Sequence, residues 1–96
     1  MKTYTEEDVL DEVIEKKNTK RSHSIIVWND DVTTFQDVIE ALVEILGHSP
    51  QQAEQCSYII HFQGKASVKN GDFETLRPLC EGIIDRGINA TIEDNN

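Results

Sequence analysis

Basic side chains are scarce: nine Lys and Arg stand against eighteen Asp and Glu, a net charge of −9. The deficit is uneven. Residues 1–22 hold six acids and five bases, whereas residues 23–96 hold twelve acids and four bases, or −8. Without clustered Lys and Arg, neither a nucleic-acid backbone nor an anionic membrane surface is an expected partner. Long apolar runs are missing too. Residues 24–28 form one of the longest, far below the ~20 of a membrane helix. The first eight residues, Met1-Lys2-Thr3-Tyr4-Thr5-Glu6-Glu7-Asp8, hold no apolar h-region, so no secretion signal is expected. The two cysteines, Cys56 and Cys80, make no Cys-x-x-Cys and no disulfide framework. His23, His48 and His61 are too dispersed for zinc. A metal-free, cofactor-free chain of the reducing cytoplasm is the expectation. There is no Gly-x-x-x-x-Gly-Lys loop and no Gly-x-Ser-x-Gly elbow, so catalysis is not expected either.

What remains suits one small domain. Its 96 residues are 38% apolar, enough for one core and a surface groove rather than a deep cavity. The acidity fits a cationic partner (a basic protein face, a metal or an amine) or serves solubility alone. Residues 1–22 are polar and charge-dense and are read as a flexible N-terminal extension. Val9, Leu10, Val13 and Ile14 give this extension a helical stripe, either for docking on a partner or as a weakly packed tail.

Residues 23–96 read as the core domain. A β-branched and aromatic run predicts a strand over 24–29, stopped by Asn29-Asp30-Asp31. Thr33 with Gln36 reads as a capping box, opening a helix with Phe35, Val38, Ile39, Leu42, Ile45 and Leu46 on one face and Gly47 at its end. Ser49-Pro50-Gln51-Gln52 is a second start, with Ser as cap, Pro at the first position and Gln52 completing a box. Residues 58–62 have strand propensity, yet Ala53, Cys56 and Ile60 keep helical spacing. The reading is helix to about Phe62, then a short strand over 66–68. Asn70-Gly71 reads as a turn. Asp72 caps a third helix with Phe73, Leu76, Leu79, Ile83 and Ile84 inward; Pro78 inside it is expected to kink it or to shift its first turn. Arg86-Gly87 ends that helix. Ile88, Ala90 and Ile92 alternate with polar residues in a closing strand. The expected fold class is α/β (α+β): β-α-α-β-α-β, with a three-stranded sheet packed against three helices.

Two groups of residues suggest chemistry. Asn29-Asp30-Asp31 can collect an ammonium group, or simply turn the chain after a strand. His61, before Gly64-Lys65, can accept from an amine or peptide N–H, or cap a helix end.

Trp28-Asn29-Asp30-Asp31-Val32-Thr33-Thr34-Phe35, followed after a helix by His61-Phe62-Gln63-Gly64-Lys65-Ala66, resembles the ClpS family of adaptors for the ATP-dependent Clp protease. The family pattern is an Asn-Asp-Asp box with an aromatic, a Thr, a Pro and a Met, then His-x-x-Gly-Lys. The Asn29 to His61 spacing agrees without a gap, and the resemblance covers roughly residues 23–94. It implies an adaptor that binds proteins beginning with Phe, Tyr, Trp or Leu (N-degrons) and delivers them to a Clp AAA+ unfoldase, ClpA- or ClpC-like, through the unfoldase's N-terminal domain. It implies a monomer whose tail engages the unfoldase. By the resemblance, Asn29, Asp31 and His61 hold the α-amino group and first peptide unit, and Asp30 adds charge. Trp28, Thr33, Phe35, Val38, Ser57, Ile60 and Ile88 line the side-chain pocket. The sequence departs from the family at Val32 for an aromatic, Thr34 for the Pro, and Phe35 and Ser57 for two pocket methionines. The alternative is a ClpS-like domain that docks on a Clp unfoldase without reading N-termini.

Overall fold

The computed structural model describes residues 22–95. The expected tail over 1–22 therefore lies, apart from Ser22, outside the described residues. Six elements follow in the order expected: β1 (His23–Trp28), α1 (Phe35–Leu46), α2 (Pro50–Gln63), β2 (Lys65–Gly71), α3 (Phe73–Asp85) and β3 (Ala90–Asp94). The three strands form one antiparallel sheet in the order β2-β1-β3.

β1 is central, and its apolar alternation explains why. Ile25 and Val27 are fully buried. Val27 stands opposite Ala66 on one side and Ala90 on the other, while Ile25 faces Ile92. The β1–β2 register slips between Ile25 and Ile26, so that Lys69 rather than Val68 faces Ile25. This bulge brings Asn70 opposite Ser24. The buried Ser24 hydroxyl hydrogen-bonds the side-chain amides of Asn70 (2.5 Å) and Asn95 (2.7 Å). Both contacts are to amide oxygens, which share its single proton. Asn70-Gly71 therefore extends β2 to seven residues instead of turning the chain, and the strand is longer than the expected 66–68.

The helices are bounded by their caps. α1 starts one residue later than expected: the cap is Thr34, whose Oγ1 accepts from Asp37 N at 3.0 Å while Asp37 Oδ2 accepts from Thr34 N at 3.5 Å. Thr33 is not available for capping, because Asp30 and Gly87 engage it. Gly47 ends α1 at φ 78°, a left-handed position that favours glycine. Ser49 caps α2 with Pro50 in its first turn, accepting from Gln52 N at 3.1 Å. α2 runs to Gln63, with Ala53, Ser57 and Ile60 inward, so burial at helical spacing overrides the strand propensity of 58–62. Asp72 caps α3, which begins at Phe73 and continues through Pro78. Val38 and Leu42 of α1, Ile60 of α2, and Leu76 and Ile83 of α3 close the core over the sheet. Among the described residues no helix is long and apolar enough to cross a membrane.

Candidate functional site

The end of β1 is fixed by its neighbours before any side chain is considered. Trp28 N donates to Asn89 O at 2.9 Å and Asn29 N to Gly64 O at 2.8 Å. Asn29 is thereby tied to the residue that caps α2. The chain then turns because Asp30 Oδ1 accepts from both Val32 N and Thr33 N at 2.8 Å, an Asx-type turn. Those two N–H bonds, Thr33's above all, hold the Asp30 carboxyl below its ordinary value. Thr33 Oγ1 donates to Gly87 O at 3.3 Å, anchoring the turn to the loop ahead of β3.

Three pieces of backbone therefore converge: the end of β1, the start of α1 and the last two turns of α2. Between them opens a shallow cleft of about 280 Å³, counting the space at its mouth that is open to solvent. Its apolar walls are Trp28, Phe35, Val38 and Ile60. Its polar lining comes from Asn29, Asp30 and Thr33 on the turn and from Ser57 and His61 on α2. Ser57, Ile60 and His61 stand at i, i+3 and i+4, one helix face. Ser57 and Ile60 are buried while His61 is exposed, so this face descends from the lip to the interior. Trp28 is held from two sides: its Nε1 donates to Thr91 Oγ1 at 3.0 Å, and the Lys65 ammonium lies 4.8 Å from its ring centre.

Ser57 stands out chemically. It is 2% exposed, and among the described residues its Oγ has no hydrogen-bond partner. An unpartnered buried hydroxyl costs about 1–3 kcal/mol.

Nine of the eleven residues expected at the site line this cleft; Asp31 and Ile88 do not. Asp31 is exposed on the turn beyond the lining. Ile88 is 3% exposed and belongs to the core. Two features escaped sequence reasoning. Thr34 lines the cleft as well as capping α1; the signal was Asp37, three residues on. An aromatic rim also borders the cleft. Phe35 meets Tyr58 edge-on at 4.9 Å between ring centres, and Tyr58 stacks on Phe62 at 6.0 Å. His61 meets Phe62 edge-on at 5.0 Å. The i, i+4 spacing of Tyr58 and Phe62 carries that signal once the segment is known to be helical. Phe62 remains 73% exposed.

No group of His, Cys, Asp or Glu suited to a metal is found among the described residues. Burial raises the thiol pKa of both Cys56 and Cys80.

The sequence profile of a family described as "ATP-dependent Clp protease adaptor protein ClpS" matches residues 18–91, most of the chain. The protein belongs to the ClpS family. Among curated relatives, the ATP-dependent Clp protease adapter protein ClpS of Corynebacterium diphtheriae is 29% identical over 68 residues. That match takes in 71% of this chain and 60% of the relative's length. Among solved structures, Agrobacterium tumefaciens ClpS2 bound to L-phenylalaninamide has a similar fold, with a TM-score of 0.72 at 19% identity. It covers 75% of this chain and 94% of the neighbour. The ClpS fold is thus the β-α-α-β-α-β arrangement described above, and the chain is a member of a family of Clp protease adaptors.

Proposed function

We propose that this ClpS family member captures proteins by their first residue, when that residue is Phe, Tyr, Trp or Leu, and passes them to a ClpA- or ClpC-like AAA+ unfoldase. The observation that carries the proposal is the lining of the cleft: apolar on Trp28, Phe35, Val38 and Ile60, with Asn29 and His61 beside them. A free N-terminus offers what such a site needs, a charged multiple donor next to an apolar side chain. The ligand of the Agrobacterium neighbour, L-phenylalaninamide, has the same three parts: an amine, an aromatic side chain and an amide.

In this role the Asn29 side-chain oxygen and a neutral His61 nitrogen accept from the ammonium and the first peptide N–H. Asp30 is already occupied as the acceptor of the turn and contributes negative charge. Asp31, exposed on the same turn, adds a second negative charge beside the site. An internal peptide brings one N–H and no charge, leaving acceptors unmatched at about 1–3 kcal/mol each. Full burial of a Leu or Phe side chain contributes about 1.5–3 kcal/mol. Small first residues forgo most of that, and charged ones lose their hydration. Ile88 supports the site from the core rather than touching the ligand.

The adaptor binds its substrate and makes or breaks no bond in it. Delivery is assigned to residues 1–22, which engage the unfoldase while the core, 23–96, holds the substrate. Fluorescence anisotropy with peptides beginning Phe, Leu, Met or Gly tests capture. Phe and Leu peptides are expected to bind in the micromolar range or tighter, and an acetylated Phe peptide to lose most of that affinity. Equal binding of free and acetylated peptides would leave only a docking domain that reads no N-termini.

A further inference from the structure

Ser57 lies in a cleft otherwise suited to a plain apolar side chain, and nothing in the folded domain accounts for its hydroxyl. A serine inside a helix can turn its Oγ back to the carbonyl four residues earlier, here that of Ala53. Ser57 does not: its Oγ is buried and unpartnered among the described residues, while the residue lines the cleft. None of the polar side chains that line the cleft with it hydrogen-bonds it. Val38 and Ile60, the buried neighbours in the lining, are aliphatic, and the side chains of Asp30 and Thr33 are committed to the turn. A polar atom in this position has its use when a ligand brings a partner for it.

We infer that Ser57 is a specificity-determining residue that selects, among aromatic first residues, those with a hydrogen-bonding atom at the far end of the side chain, Tyr above all. The inference rests on the reading of the cleft as an N-terminal-residue site. The amino group is held at the lip by Asn29 and His61, so the ring points down the α2 face from His61 past Ile60 toward Ser57. The phenol of Tyr can donate to Ser57 Oγ or accept from it, and the indole N–H of Trp can donate. Phe or Leu leaves the hydroxyl as it is in the free protein. Phe35, edge-on to Tyr58 and His61, restricts the other side of the cleft.

The test compares full-length protein and its Ser57→Ala variant by calorimetric titration with peptides identical except for a first residue of Tyr, Phe or 4-fluorophenylalanine. Wild type should bind the Tyr peptide at least about fivefold more tightly than either of the others. In Ser57→Ala the phenol loses its partner, and the Tyr-to-Phe ratio should fall to one or below. A wild-type ratio near one overturns the inference without any variant. So does a raised ratio that survives Ser57→Ala. Binding of Phe and Tyr peptides at equal strength refutes the role of Ser57 alone. Failure of every free-amine peptide to bind refutes the N-terminal-residue reading and this inference together.

Discussion

Replacing Thr34 with Ala removes the oxygen that accepts from Asp37 N at 3.0 Å and leaves the first turn of α1 without its side-chain cap. Cap losses of this kind cost about 1 kcal/mol, within a range of roughly 0.5–2. The first turn cannot fray cheaply here, because Val38 follows at once and is buried in the core. For a domain of this size, 1 kcal/mol corresponds to about 4–8 °C in Tm. Thr33→Ala is the matched control. It removes only two long contacts, 3.3 Å to Gly87 O and 3.4 Å to Asp30 Oδ2, and leaves the backbone N–H that Asp30 uses. Its cost should be about 0.5 kcal/mol or less. Thr34→Ser keeps the acceptor and should recover most of the loss. Thermal unfolding followed by circular dichroism reads all three. A larger drop for Thr33→Ala than for Thr34→Ala, or no recovery with Ser, would mean that the helix is capped where the sequence suggested and that the turn geometry is wrong. Thr34 also lines the cleft, so Thr34→Ala should weaken peptide binding modestly alongside the stability loss.

Other outcomes follow from the same geometry. Asp30, with its native pKa lowered by the Thr33 and Val32 N–H groups, stabilises the fold above the range in which the unfolded carboxyl titrates. That contribution is lost as pH falls through its lowered native value, so Asp30→Asn should flatten the acid limb of a stability-versus-pH curve; an unchanged limb would contradict the turn. His61→Ala should weaken binding of a Phe-initiated peptide by at least about tenfold, or ~1.4 kcal/mol, with the circular dichroism spectrum intact; Asp31→Ala, which removes only an exposed charge beside the site, should weaken it by about fivefold or less. Deleting residues 1–20 should leave peptide affinity nearly unchanged while reducing degradation of a Phe-initiated substrate by the reconstituted protease; loss of peptide binding would show those residues to be part of the site.

The order of elements was legible because the helix ends are written in local chemistry. Ser49-Pro50, Asp72, Gly47 and Gly64 act where such residues act in any protein, and the spacing of Ala53, Cys56 and Ile60 outweighed the β-branched run beside it. What was not legible depended on partners distant in sequence. Asn70-Gly71 has turn composition, but Ser24 across the sheet draws it into β2. Thr33 and Thr34 are equivalent caps on paper, and only the contacts of Thr33 with Asp30 and Gly87 hand the role to Thr34. Most of the cleft could be carried over from the family motif. Ile88 is buried like Ile60 but does not line the cleft. That the Ser57 hydroxyl has no partner among the described residues is a fact of packing that no local pattern records.

The central claim, that this cleft takes the first residue of a protein, is tested most directly by an ¹H–¹⁵N NMR titration of the full chain with a Phe-initiated peptide and its acetylated counterpart. The account predicts that the free-amine peptide shifts the signals of Asn29, Phe35, Val38, Ser57, Ile60 and His61, leaves those of α3 nearly still, and that the acetylated peptide does neither at the same concentration. Shifts centred on α3, or equal shifts with both peptides, would contradict it.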